Sequence, residues 1–180
     1  LLERIAGLAR TPQQVLRWRT ELMNRAYVRA DWQNCLREAE RVLRLANRLE
    51  DQETALNAQS FIASVHLEMG DVDRAAIGFQ DILERTRRMG NQKLIQTALY
   101  NLAYARDGQR RLGECLSLIS EALELAEAIG DIPKQLGFLN QLTFYSKTAL
   151  GRNEALQFAK RGLALHQHIS GQEEERINNL

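Results

Sequence analysis

The chain has 180 residues, 44% of them hydrophobic and 26% charged, with a formal net charge of +1. That is the composition of a globular domain with enough length for a sizeable core, and a balance so near neutral excludes an overall electrostatic drive toward nucleic acid or an acidic membrane surface. No apolar run approaches the roughly 18 residues of a spanning helix, no signal peptide opens the chain, and the two cysteines, Cys35 and Cys115, make no metal or redox spacing. No cofactor is expected, no membrane partner either, and the expected compartment is a reducing cytoplasm.

The elements follow one another with a period of 40. Residues 43, 83, 123 and 163 are all leucine; residues 22, 62, 102 and 142 are Leu, Ile, Leu and Leu; residues 35, 75, 115 and 155 are Cys, Ala, Cys and Ala. No gap is needed, so the register is read as an internal repeat. The opening LLERIAGLAR, 1–10, reads as the tail of a preceding helix. Thr11 followed by Pro12 supplies an N-cap with proline at the first helical position. Each block then carries two apolar stripes at helical spacing. The first helices of the blocks, here called A, are predicted at about 12–29, 52–69, 92–109 and 132–149. The second, B, are predicted at about 33–49, 73–89, 113–129 and 153–169. Gly90 and Gly130 suit left-handed helix ends, and Asn91 and Asp131 suit the starts that follow. The closing GQEEERINNL, 171–180, reads as the first turns of a fifth A helix. The chain is therefore expected to be one domain over 1–180, with repeats at about 11–50, 51–90, 91–130 and 131–170. Because it opens on Leu1 rather than Met, it is read as a fragment of a longer protein. Its terminal helices are expected to lack polar caps and to expose apolar surface.

These columns resemble the tetratricopeptide repeat, or TPR. The stretches that match are NLA at 101–103, EMGD at 68–71 and the small column Cys35, Ala75, Cys115 and Ala155. The resemblance covers nearly the whole chain. The period departs from it, 40 against about 34, and the proline that closes helix B is missing. In this the chain is similar to the long-helix variants of bacterial transcription-activator sensor regions, kinesin light chains and Gram-positive peptide-pheromone receptors. Arg110 stands in the column of Gly70, so the turn inside the third repeat is expected to be irregular around Asp107-Gly108. The resemblance implies an all-α right-handed superhelix of about four helix-turn-helix repeats, a solenoid that binds protein or peptide on its concave side.

The stretch ALYNLAYA, 98–105, raises the question of a functional face, because it sets one asparagine in an apolar helix. On a wheel of about 100° per residue, Ala98, Leu102 and Ala105 point one way with Leu99 and Ala103 beside them. Thr97, Asn101, Tyr104 and Gly108 point opposite, with Tyr100 on the flank. The first set must pack, so the second faces the groove that the resemblance implies. The equivalent wall offers Arg17, Thr20, Glu21 and Asn24 in the first repeat, and Asn57, Ser60, Phe61 and Ser64 in the second. In the fourth it offers Asn140, Gln141 and Phe144, with Gly137 leaving space. Every A helix thus brings one asparagine: Asn24, Asn57, Asn101 and Asn140. An amide presents donor and acceptor together and can clamp the backbone of an extended peptide whatever its side chains. Tyr100, Tyr104 and Phe144 are candidate apolar anchors, and Arg17 completes the candidate set. The competing reading is that these asparagines are ordinary surface residues and that the rings fill space between A helices.

No catalytic constellation is legible. His166 and His168 diverge by about 200° on a helix and His66 is distant in sequence, so no metal site is expected. No phosphate loop or nucleophile motif is present, and an enzyme is not expected. Arg37, Arg41, Arg44 and Arg48 form a stripe on the first B helix, but Glu38 and Glu40 interleave with it, which reads as a solvated, paired face. Nucleic acid is not expected to bind this segment. The two cysteines, two repeats apart in one column, should be free thiols on the order of 20 Å apart. The expected function is a protein- or peptide-binding module in a bacterial regulator or sensor. The alternative is a structural scaffold that forms a homodimer through its end repeats and holds no groove ligand.

Overall fold

The computed structural model describes the backbone of residues 11–178 and the side chains of residues 11–169; the helix tail expected at 1–10 lies outside the described residues. Eight helices follow one another among them: α1 (Pro12–Val28), α2 (Trp32–Arg48), α3 (Gln52–Glu68), α4 (Val72–Met89), α5 (Gln92–Gly108), α6 (Leu112–Ala128), α7 (Ile132–Ala149) and α8 (Arg152–Asn178). No strand occurs among the described residues. None of their helices is long and apolar enough to cross a membrane.

Local chemistry explains the boundaries. Thr11 and Gln14 form a reciprocal capping box, each side chain accepting from the other's backbone N–H, at 3.2 and 3.1 Å. Asp31, Asp51, Asn91 and Asp131 each accept a backbone N–H from the first turn of the helix they open. At the other end of each helix from α1 to α7, one residue enters the left-handed region, and these residues recur about every 20 positions: Ala30, Glu50, Gly70, Gly90, Arg110, Gly130 and Gly151. In most of these turns the next N–H reaches back to a carbonyl five residues earlier, as from Asp71 to His66 at 2.8 Å and from Asp131 to Ala126 at 2.9 Å.

The turn inside the third repeat is regular, contrary to the expectation from its lost glycine. Arg110 takes φ +61° itself, Arg111 N–H bonds the Arg106 carbonyl at 2.9 Å, and the helix runs through Asp107-Gly108. The packed helices on either side demand the turn, and the arginine bears the strain. Arg111, where α4 has Asp71, gives α6 no side-chain cap. Replacing the pair, Arg110→Gly with Arg111→Asp, is expected to stabilise the protein by about 1–2 kcal/mol, through relief of left-handed strain and a restored N-cap. An unchanged or lower urea midpoint would show that the turn carries no such strain.

The last helix differs from the reading. α8 continues through residue 178, where a B helix was expected to end near 169 and a fifth A helix to begin at 171. The stop and start chemistry is missing there. Ser170 occupies the left-handed column of Gly90 and Gly130, and Gly171 occupies the capping column of Asp51, Asn91 and Asp131.

Contacts group the chain into two compact units that divide between Arg85 and Thr86. In the first, α2 packs against both α1 and α3. Leu16, Met23, Cys35, Ala39, Val42, Ala46, Ala55 and Val65 form its core. Arg19 and Glu38 tie α1 to α2 at 2.9 Å. α4 approaches α3 closely because it carries Gly78; a Cβ there would lie 3.1 Å from that of Ala63. In the second unit, α6 packs against α5 and α7, and α7 against α8, around Leu99, Leu102, Cys115, Ile119, Leu123, Phe138, Leu139 and Leu142. Cys35 and Cys115 are free and buried, as their column requires. Burial pushes each thiol up to about 11, so neither is a reactive thiolate near neutral pH.

α8 exposes what earlier B helices bury. Leu116 and Leu123 of α6 are buried, while Leu156 and Leu163, their equivalents on α8, are 50% and 58% exposed. α6 has a helix on both sides, whereas among the described residues α8 packs only on α7.

Candidate functional site

Helix periodicity places the candidate residues on the A helices, here α1, α3, α5 and α7. In α5 the packing face is as the wheel demands: Ala98, Leu99, Leu102, Ala103 and Ala105 are all buried. On the opposite face Thr97, Tyr104 and Gly108 are exposed and Asn101 is half-buried.

In the first unit, Arg17 is exposed, Asn24 is half-buried and Asn57 is exposed. Thr20 donates to the Leu16 carbonyl at 3.0 Å, and Arg25 lies 3.9 Å from Glu21. Arg17, Thr20, Glu21 and Asn24, with Gln13 and Leu16, line a cavity of about 410 Å³ that Asp51 and Thr54 close from the start of α3. The sequence reading found the α1 side of this cavity and missed the α3 side. Asp51 and Thr54 carry a legible signal, but it is that of a helix cap: Thr54 Oγ1 donates to Asp51 Oδ2 at 2.7 Å. Phe61, placed on the wall by the reading, packs instead against the core. Its ring meets Tyr27 edge-on at 5.2 Å, and Tyr27 in turn meets Trp32 at 5.5 Å.

In the second unit, Asn140 and Gly137 are exposed and Gln141 is half-buried. Two of the three candidate rings are open to solvent, Tyr104 at 51% and Phe144 at 68%. They occupy equivalent positions on consecutive A helices. Tyr100 is different: it is half-buried, its ring 6.2 Å from that of buried Phe138. It fills the space between α5 and α7, as the competing reading supposed. Asn101 is likewise engaged within the protein.

Phe144 is braced from behind. Tyr145 meets it edge-on at 5.2 Å, and the Tyr145 hydroxyl donates to Asp107 Oδ2 on α5 at 3.2 Å. Burial first, then the Asp107 charge, pushes the Tyr145 phenol well above its usual range, so it stays a hydrogen-bond donor throughout the physiological range. This bond joins α5 to α7.

Elsewhere, Arg41 pairs with Glu38 at 2.5 Å and Arg44 with Glu40 at 3.7 Å, so half of the arginine stripe on α2 is paired. His166 and His168 are exposed, and among the described residues no group of three His, Cys, Asp or Glu is placed to hold a metal.

No protein-family model and no curated protein matches the sequence. Solved structures do match its fold. Aspartyl phosphate phosphatase F from Bacillus subtilis is similar with a TM-score of 0.84 at 14% identity, over 92% of this chain and 43% of that one. PlcR from Bacillus thuringiensis, in complex with the peptide PapR7 and DNA, is similar with a TM-score of 0.76 at 17% identity, over 97% of this chain and 64% of that one. A putative kinesin light chain from Podosopora anserina with TPR-like repeats is similar with a TM-score of 0.73 at 15% identity, over 93% of this chain and 85% of that one. The chain spans less than half of the phosphatase and under two thirds of PlcR. With its 40-residue register, its paired helices and these neighbours, the chain has the all-helical fold of TPR-like repeat proteins.

Proposed function

We propose that the chain is a peptide- or protein-binding module, a sensor or regulatory segment of a larger bacterial protein. Within each unit, taken by itself, the outward faces of the A helices hold extended peptide. Asn24, Asn57, Asn101 and Asn140 bond its backbone, Tyr104 and Phe144 anchor apolar side chains, Tyr100 supports them from beneath, and Arg17 meets a charged group. The observation that carries this reading is the exposure of Tyr104 and Phe144 in one column of consecutive A helices. Large rings left in water cost free energy unless a partner covers them. The likeness to PlcR, whose solved complex holds a peptide, supports the same reading. One neighbour is named a phosphatase; for this chain, binding without catalysis is proposed.

Panning a random heptapeptide display library against the chain tests the proposal. Enriched peptides are expected, and a folded Asn57→Ala/Asn101→Ala/Asn140→Ala variant should bind them at least about tenfold more weakly, since each net hydrogen bond contributes about 0.5–1.5 kcal/mol. No enrichment, or equal binding by that variant, would overturn the reading. One observation favours a structural role instead: Leu156 and Leu163 stand exposed on α8, as they would on a face used for self-association.

A further inference from the structure

Resting on the peptide-binding reading, we infer that the first unit captures the free amino end of the peptide, in the cavity between α1 and the start of α3. That cavity holds about 410 Å³, within the size range of small-ligand sites. Its α1 wall is one helical face, because Arg17, Thr20, Glu21 and Asn24 stand at i, i+3, i+4 and i+7. Asp51 and Thr54 supply the α3 wall. Thr20, Asn24, Asp51 and Thr54 are half-buried, while Arg17 and Glu21 are exposed.

The directions of the hydrogen bonds in the lining decide what it can hold. Thr20 gives its hydroxyl proton to the Leu16 carbonyl at 3.0 Å, and Thr54 gives its own to Asp51 Oδ2 at 2.7 Å. With both protons committed, the two hydroxyls have only lone pairs left to offer. Glu21 adds a carboxylate whose ion pair with Arg25 is 3.9 Å long and exposed, too loose to occupy it. Asp51 adds another. It accepts the Thr54 N–H and hydroxyl, and a carboxylate has about four lone-pair sites in all. The lining therefore carries one cation, Arg17, against two anions, Glu21 and Asp51.

An ammonium group fits this arrangement. It brings three donors, no acceptor and the one positive charge that cancels the excess. A carboxylate end would instead add a third anion beside Glu21 and Asp51. The terminal ammonium of a peptide also has its own residue's carbonyl alongside, whereas that of a lysine stands at the end of a four-carbon stem. Arg17 has five N–H donors, enough for that carbonyl as well as the charged group already assigned to it. From there the chain has a path. A second cavity of about 230 Å³, lined by Glu21, Asn24, Arg25, Val28 and Arg29, shares Glu21 and Asn24 with the first. Val28, 85% exposed, offers apolar contact to the side chain that follows.

The test uses the whole chain, labelled with ¹⁵N, and tetra-alanine amide with a free amino end as the probe. It is expected to shift the backbone amide signals of Glu21 and Thr54 and to saturate at about millimolar concentration. Three controls should each bind at least about tenfold more weakly: the same amide acetylated at its amino end, acetylated tetra-alanine with a free carboxyl end, and the acetylated amide with lysine as its third residue. The double variant Glu21→Gln/Asp51→Asn keeps an N-cap on α3. It should hold the melting temperature within about 5 °C while weakening the free-amine probe at least about tenfold. Absent shifts, shifts confined to residues outside the two cavities, or equal binding by any control or by the double variant would overturn the capture. Tighter binding of the free carboxyl end would overturn it too, by giving the cavity to the other end of the peptide. Library peptides that depend on the three asparagines yet bind equally well with their amino ends free or acetylated would leave the peptide-binding reading standing and remove the capture alone.

Discussion

Leu102→Ala is expected to destabilise the protein by about 2–5 kcal/mol, because the leucine is 1% exposed and its loss opens a cavity between packed helices. Asn140→Ala, on the outward face of α7, is expected to change stability by only about 0.5 kcal/mol, while weakening any ligand whose backbone it bonds. Urea titrations of the two variants, followed by circular dichroism, decide it. If Asn140→Ala proves the more damaging, the outward face has been assigned to the wrong side of the A helices, and the asparagine wall falls with it. Asn101→Ala should lie between the two, since that side chain is half-buried and already engaged within the fold.

The second large effect uses the repeat against itself. Leu123 and Leu163 occupy the same column, one repeat apart, yet the first is 3% exposed and the second 58%. Leu123→Ala is expected to cost about 2–5 kcal/mol, and Leu163→Ala about 0.5 kcal/mol or less when the chain is monomeric. Sedimentation run alongside the denaturation curves adds a second readout. Should Leu163→Ala lower stability only at high protein concentration, and shift a dimer toward monomer, the exposed face of α8 is an interface between copies and the scaffold reading gains. Equal costs at the two positions in a monomer would mean that α8 is covered as α6 is, against the exposure seen here.

Helix limits were legible in the sequence because their causes are local. An Asp, Asn or Thr cap acts within three residues, and a proline at the first turn acts on its own backbone. The predicted A and B spans therefore meet the observed ones to within a residue at nearly every end, and α8, whose expected stop lacked both glycine and cap, is where they do not. The inward stripe of each helix was legible for a similar reason, since Leu102 and Ala105 fall on one side of any helix that contains them.

Tertiary structure decided the rest. Arg110 looked like a broken turn, and it is a regular one because the helices around it fix the chain direction and the residue must comply. Leu123 and Leu163 are indistinguishable in the repeat; what separates the core leucine from the exposed one is a helix on the far side, which α6 has and α8 lacks among the described residues. The rings show the same limit. Phe61 shares the column of Asn101 and Tyr100 sits at the flank of the outward face, yet in both places a neighbouring helix claims the ring, through Tyr27 and Phe138. Tyr104 and Phe144 sit at the centre of that face, beyond the reach of a neighbour. A helical wheel gives a residue's direction from its own axis. Whether another helix occupies that direction is a matter of packing, and it is packing that leaves these two rings exposed.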